Sequence, residues 1–440
     1  MAGFFMPYSN LMDGSMSGQL PPGFRKLDIR ARRDALKKSF DFSRDEWRAI
    51  SCDQDELDLA DVMVESAVGC VPLPLGIADG FLIDGREVSI PMAVEEPSVI
   101  AAASFAARLV RRDGGFATWA SEPLMSTQVF LEGVTRDGEQ ALSECEHELR
   151  QRLSGPLESL ARRGGGYRGF HVDRLPSGTL KVDLVIDVRD ALGANRLNTA
   201  AEAVRPLLER VSGGRVLMAI LTNAAQQRTA GARFSIPLER LAQGLPEGIS
   251  AEEAARRVAA ASVVAQEDPT RAVTHNKGIM NGITSLALAT MNDARAVEAA
   301  AHLWASRDGT YRGLSRFDRD SGRLRGELEL PLALATAGGS VDFHPTARAC
   351  LRILGNPDSR GLCRIAAALG LAQNFAAVLA LVTHGIQKGH MKYHGARLAY
   401  QAGARGELAR RIAEELSREG TLDAGSARAH FEKLRERRDQ

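Results

Sequence analysis

The sequence predicts an α+β fold: a small antiparallel-sheet unit inserted into a larger, mostly helical body and followed by a charged helical tail. Three observations carry this. Leu180, Val182, Leu184, Ile186 and Val188 alternate with Lys181, Asp183, Val185 and Asp187, the period of a strand with one packed face. Alanine-rich helical stretches flank that region on both sides. Neither an open series of parallel βα units nor a fixed repeat is present, which excludes a standard dinucleotide-binding sheet and an array.

In chain order, the first 20 residues lack a secretory pattern and, with the turn-rich Gly14 to Gly23, read as a flexible leader. Asp41 to Val68 has helical character, and Pro72 to Gly76 is a turn-bearing apolar segment. Two strand candidates, Ala78 to Ile83 and Val88 to Val94, flank Asp84-Gly85, a pair suited to a tight hairpin turn. After Pro97, Ser98 is expected to cap a helix reaching Val110. A smaller unit can be drawn from Leu124 to about Ile236, with the inserted domain bounded at 124–226. It takes a strand near Ser126 to Val134, a charged helix near Gly138 to Ala161, a strand pair before Asp190, a helix from Asn195 to Val211 and a strand from Arg215 to Leu221. This order suits an antiparallel, ferredoxin-like sheet with helices on one face. Ser250 and Glu253 form a capping-box pattern before the helix Ala251 to Ala265. Further helices are expected beside Asn292 and Asp293, after Pro345 and after Gly361. Ala404 to Gln440 is a charged tail suited to a helical flap. The domains are drawn at 1–123 with 227–385 for the larger domain, 124–226 for the insert and 386–440 for the flap.

Composition narrows the function. The 440 residues carry Lys+Arg 56 against Asp+Glu 55, so no overall field draws a polyanion, and aromatics at 5% supply few stacking platforms; nucleic acid is an unexpected partner. Ile365 to Val382 is uncharged, but Gly370, Gln373 and Asn374 interrupt it, so a buried helix is expected rather than a membrane span. Cys52, Cys70, Cys145, Cys350 and Cys363 form no closely spaced metal-binding pair, which suits a reducing cytoplasm.

Chemistry is sought at five places. Glu95 and Glu96 lie where a strand gives way to a helix; if extended they point in opposite directions, so at most one faces a reaction, and both also suit a solvated helix start. His275 to Gly282 reads as a polar loop in which Lys277 stabilises oxygen charge and Asn281 orients it, or in which both are ordinary surface groups. Asp293 either caps a helix or holds Lys277 charged. If helical, His390 and His394 share a face, but no zinc motif surrounds them and no metal is expected; His390 suits proton delivery near neutral pH. Gly193, within Asp190 to Asn195, permits close approach of a phosphate to a helix start, although a turn explains the same residues.

Val94-Glu95-Glu96-Pro97-Ser98, His275 to Gly282, Met291-Asn292-Asp293 and Gly389-His390-Met391, in that order, resemble the active-site blocks of class II hydroxymethylglutaryl-coenzyme A reductases. The resemblance spans nearly the whole chain from about Phe24. It implies a catalytic quartet of Glu96, Lys277, Asp293 and His390. It implies substrate contacts from Arg25, Ser98, Arg271 and Asn281, and a non-Rossmann cofactor site including Asp190, Gly193 and Asn195. It also implies that hydroxymethylglutaryl-coenzyme A, mevalonate and coenzyme A are the reactants, interconverted through mevaldehyde by two hydride transfers. NAD/NADH is the preferred cofactor and a degradative direction the preferred role; NADP/NADPH with a biosynthetic role is the alternative. A homodimer with a mobile C-terminal flap is expected. Ser66 replaces an asparagine typical of the family after Glu65, and Leu192 replaces a methionine beside Gly193.

Overall fold

The protein is described from a computed structural model that covers residues 19–383, 385 and 395–436; His390 and His394 lie outside these described residues. The chain divides after Pro74 into two compact units.

In the first unit a short 3-10 turn, Phe24–Lys26, precedes helices Ile29–Ser39, Arg44–Ala49 and Gln54–Met63. The helical stretch expected from Asp41 is therefore two helices. Each begins with a full capping box, Ser43 with Glu46 and Asp53 with Glu56, so the sequence restarts a helix where one continuous run was expected. Ile29, Leu57 and Ala67 form the core. Ser66 holds a left-handed backbone with φ of 61°, a conformation for which asparagine is better suited than serine. Arg25 sits on the exposed turn.

The second unit opens with the antiparallel hairpin Leu75–Ile83 and Arg86–Ala93. Its two-residue turn, Asp84 and Gly85, has positive φ at both positions, 47° and 78°, as a hairpin of this length requires. The central helix Ser359–Val382 packs against helices Pro269–Ala289 and Val99–Arg111. It is long and apolar enough to cross a membrane, yet 78% of its most apolar stretch is buried inside the protein. Gly282 makes the helix contact possible: a Cβ there would lie 3.2 Å from Gln373 Cβ and from Leu369 Cγ. Beneath the helices lies a four-stranded antiparallel sheet that the sequence reading missed, ordered Ala117–Ala120, Thr229–Pro237, Arg323–Pro331 and Ser315–Asp320. Leu324, Leu328 and Leu330 alternate with Arg325, Glu327 and Glu329, so the period-two signal was present. Thr229–Pro237 pairs within this sheet, so the smaller unit does not extend to Ile236.

The inserted sheet is antiparallel, ordered Gly166–Arg174, Leu180–Asp187, Leu124–Glu132 and Arg215–Leu221. With helix Ala194–Ser212 and the helices before Gly166 packed against it, this is the expected ferredoxin-like arrangement. The single helix expected from Gly138 to Ala161 is three, Arg136–Ser143, Glu146–Leu153 and Glu158–Ala161. Pro156 makes the second break because it lacks an amide proton and restricts the residue before it. The insert has its own core around Leu142, Leu149, Leu184 and Leu197. The C-terminal helices 395–401, Gly406–Glu419 and Ala424–Glu436 share another around Leu398, Ile412 and Leu416.

Candidate active site

His275 to Gly282 is not a loop. It lies inside the helix Pro269–Ala289, started by Asp268, whose carboxylate accepts from Thr270 N at 2.9 Å, and by Pro269 in the first turn. The polar residues misled because they occupy faces of a helix whose other positions, Ile279, Met280 and Ile283, are core. Lys277 and Asn281 are four residues apart and share one face. Both meet the same carboxylate oxygen: Lys277 Nζ donates to Glu96 Oε2 at 2.6 Å and Asn281 Nδ2 donates to it at 3.5 Å. Glu95 is exposed, so the alternation resolves in favour of Glu96.

Ser98 departs from expectation. Its backbone is left-handed, φ 74°, and no side-chain bond caps the helix Val99–Arg111, because the hydroxyl is not placed as an extended cap residue would place it. Its Oγ is instead buried without a protein partner beside the Glu96 turn. Such an orphaned donor suits a substrate oxygen.

Asp293 does not reach Lys277. Its carboxylate accepts from Ala296 N at 3.0 Å, capping helix Ala294–Ala305, and lies 3.8 Å from Arg295. Among the described residues it makes no hydrogen bond or ion pair with the lysine. The turn before it is fixed by Asn292, which exchanges two bonds with Ala335: Nδ2 donates to the carbonyl at 3.1 Å and Oδ1 accepts from the amide at 2.7 Å. The next amides, Thr336 and Ala337, donate to Asp190 O at 2.8 and 3.1 Å. One short segment thus positions both the Asp293 turn and the Asp190 to Asn195 loop.

That loop fits a dinucleotide phosphate. Gly193 has φ 75°, and a Cβ there would lie 2.6 Å from Val188 Cγ1, so glycine is needed for both conformation and space. It precedes helix Ala194–Ser212, whose start has no side-chain cap, leaving its first amides for an anion. Asn195 is exposed at that start. Asp190 is committed to structure, its Oδ1 accepting from Ser359 N at 2.9 Å. Below it, buried Arg228 donates to Leu334 O at 2.6 Å, Ser359 Oγ at 2.7 Å and Ala191 O at 3.3 Å, while its Nε has no partner. Sequence reading missed Arg228, whose only local signal was a charge beside an apolar strand.

Beneath Lys277 lies a second missed group. Buried His275 Nε2 is 2.6 Å from Ser315 Oγ, whose proton goes to Asn374 Oδ1 at 2.7 Å; Nε2 is therefore the donor. Asn374 Nδ2 donates back to His275 O at 3.0 Å. Burial, aided by the charge of half-buried Arg271 on the same helix, lowers the His275 pKa to about 4. The imidazole is neutral and structural.

A cavity of about 370 Å³ lies beside this site, lined by Pro97, Ala396, Arg397, Tyr400 and Gln401, between the Glu96 turn and the first C-terminal helix. A larger depression of about 980 Å³, lined by Arg233, Arg325, Glu327 and Trp304 among others, contains neither Glu96 nor Lys277.

Residues 28–395 match the family model described as hydroxymethylglutaryl-coenzyme A reductase. The 3-hydroxy-3-methylglutaryl-coenzyme A reductase of Archaeoglobus fulgidus is 40% identical over 96% of each chain. The probable reductase of Borreliella burgdorferi is 33% identical over 88% of each. Among solved structures, the class II reductase of Streptococcus pneumoniae bound to NADPH in open conformations has a TM-score of 0.72 and 38% identity, covering 92% of this chain and 99% of that one.

Proposed function

The chain belongs to the class II hydroxymethylglutaryl-coenzyme A reductases and interconverts hydroxymethylglutaryl-coenzyme A and mevalonate with a nicotinamide cofactor; from this premise we propose that it runs reductively, by two hydride transfers from NADPH through mevaldehyde. The observation that carries the site assignment is the convergence of Lys277 and Asn281 on one oxygen of Glu96.

The nicotinamide supplies hydride; the chain supplies charge, protons and position. Lys277 places an ammonium where the thioester and aldehyde oxygens become negative, and Glu96, already hydrogen-bonded to it, delivers the proton. Asn281 keeps the carboxylate oriented. Asp293, which accepts one hydrogen bond from the Ala296 amide of its own helix, turns toward Lys277 when the site closes. His390 protonates the departing coenzyme A thiolate. Ser98 and Arg271 hold the hydroxymethylglutaryl end, and Arg25 the coenzyme A. Gly193 and Asn195 receive the dinucleotide, with Asp190 fixing their loop.

The sequence pointed to NADH and a degradative role. NADPH is favoured instead because the structurally similar Streptococcus pneumoniae enzyme is one bound to NADPH. A homodimer completes the proposal, with the Lys277 side chain, 59% exposed in a single chain, left accessible for substrate and a partner subunit to cover. Residues 124–226 serve as the cofactor domain, and the described helices 395–401, Gly406–Glu419 and Ala424–Glu436 belong to the flap drawn at 386–440.

The test is a cofactor assay on purified protein in both directions, with hydroxymethylglutaryl-coenzyme A plus NADPH or NADH, and with mevalonate and coenzyme A plus either oxidised cofactor. The expected result is two cofactors oxidised per mevalonate formed and a higher kcat/KM for NADPH. A higher value for NADH would restore the degradative reading.

A further inference from the structure

We propose that Cys52 and Cys70 form a reversible disulfide that closes the segment between them in the N-terminal unit. Spacing along the chain gave no hint of this pair, yet their sulfurs lie 3.4 Å apart. Both thiols are half-buried, whereas Cys145, Cys350 and Cys363 are buried.

The approach is built into the backbone. Arg33 clamps the two segments from one guanidinium, donating through one nitrogen to Ser51 Oγ at 2.8 Å and through the other to the carbonyl of Val68. Those partners lie one and two residues from the thiols. Gly69 completes the contact, since a Cβ there would sit 1.9 Å from Ile50 O. With the strands of chain held at this distance, a bond of about 2.05 Å requires each sulfur to move only ~0.7 Å. Two thiols alone do not make a metal site, and among the described residues no third ligand joins them.

The oxidant is a peroxide. One thiolate attacks a peroxide oxygen, the O–O bond breaks and hydroxide leaves, giving a sulfenic acid. The second thiol then attacks that sulfur, the S–O bond breaks and water departs. Both thiol protons and two electrons pass to one hydrogen peroxide, yielding the disulfide and two waters. A dithiol reductant reverses the step by exchange. Burial, and then the neighbouring Cys70 thiol, raise the Cys52 pKa to about 11, so little thiolate is present near neutral pH and oxidation is slow. The closed loop holds helix Gln54–Met63 and the left-handed Ser66 turn.

The full-length protein is treated with hydrogen peroxide, alkylated, digested and analysed by mass spectrometry without reduction. The expected product is one intramolecular cross-link joining the Cys52 and Cys70 peptides, abolished by dithiothreitol, with free thiols in the denatured protein falling from five to three. Hydrogen exchange of amides 53–69 should slow on oxidation. Cys52→Ser and Cys70→Ser should each prevent the cross-link. Separate alkylation of both cysteines after treatment, sulfinic acid at either, or a cross-link to another cysteine or chain would each overturn the proposal, and the wild-type measurement decides without any variant having to fold.

Discussion

Lys277, in the middle of a helix, donates across 2.6 Å to Glu96, on the turn before another helix and 181 residues away in sequence. Its side chain is 59% exposed and that of Glu96 35%. An exposed pair contributes little to folding, roughly 0–1 kcal/mol. In the proposed reaction its value is in placing a positive charge beside a proton carrier.

Lys277→Ala should therefore fold normally, by circular dichroism and melting, yet lose about 10²–10³ in kcat, the typical cost of removing one oxyanion donor. Substrate KM should move much less. A folded variant with near-normal turnover would remove Lys277 from the chemistry.

His390→Ala should slow thioester reduction more than reduction of added mevaldehyde, since only the first releases a thiolate. Steady-state assays with each substrate measure this. Equal losses would assign His390 elsewhere.

His275 makes stability depend on pH. Unfolded, it gains a proton near its ordinary value of 6.5; folded, only near 4, so its contribution is complete above about pH 6.5 and disappears as pH falls to about 4. The whole effect is at most about 3 kcal/mol. Urea melts across that window should show the loss, and His275→Gln should flatten it. An unchanged slope in that variant would place the acid sensitivity in other groups.

Gly193→Ala should raise the cofactor KM and lower stability, because a left-handed backbone costs a substituted residue about 1–2 kcal/mol and Val188 stands in the way. Gly213 ends the same helix with φ 67° and no atom near its missing Cβ. Gly213→Ala should lose stability without changing cofactor KM; equal KM changes in both would dissociate Gly193 from the cofactor.

Arg228→Lys cannot reproduce a fork that reaches Leu334, Ser359 and Ala191 together. We expect a loss of about 1–3 kcal/mol, with a raised cofactor KM because the Ala191 carbonyl belongs to the Gly193 loop. A double-mutant cycle with Ser359→Ala should show coupling of at least ~0.5 kcal/mol. Additive losses would mean that the two do not act as a unit.

Local patterns determined much of this protein. The alternation from Leu180 to Val188 specified a strand, Asp84-Gly85 a two-residue turn, and Asp190 to Asn195 a glycine-led helix start, because each depends on side-chain period or backbone φ within a few residues. The blocks around Glu96 and Lys277 named the family. Tertiary structure alone decided whether His275 to Gly282 was loop or helix, since its polar residues serve three surroundings: Lys277 faces the site, His275 the buried Ser315 and Asn374, and Gly282 the central helix. It also decided that Glu96 rather than Glu95 meets the lysine, that Asp293 caps its own helix, and that Cys52 and Cys70 are neighbours. The physical reason is common to all four: each depends on which distant backbone arrives alongside, and packing, not local propensity, sets that.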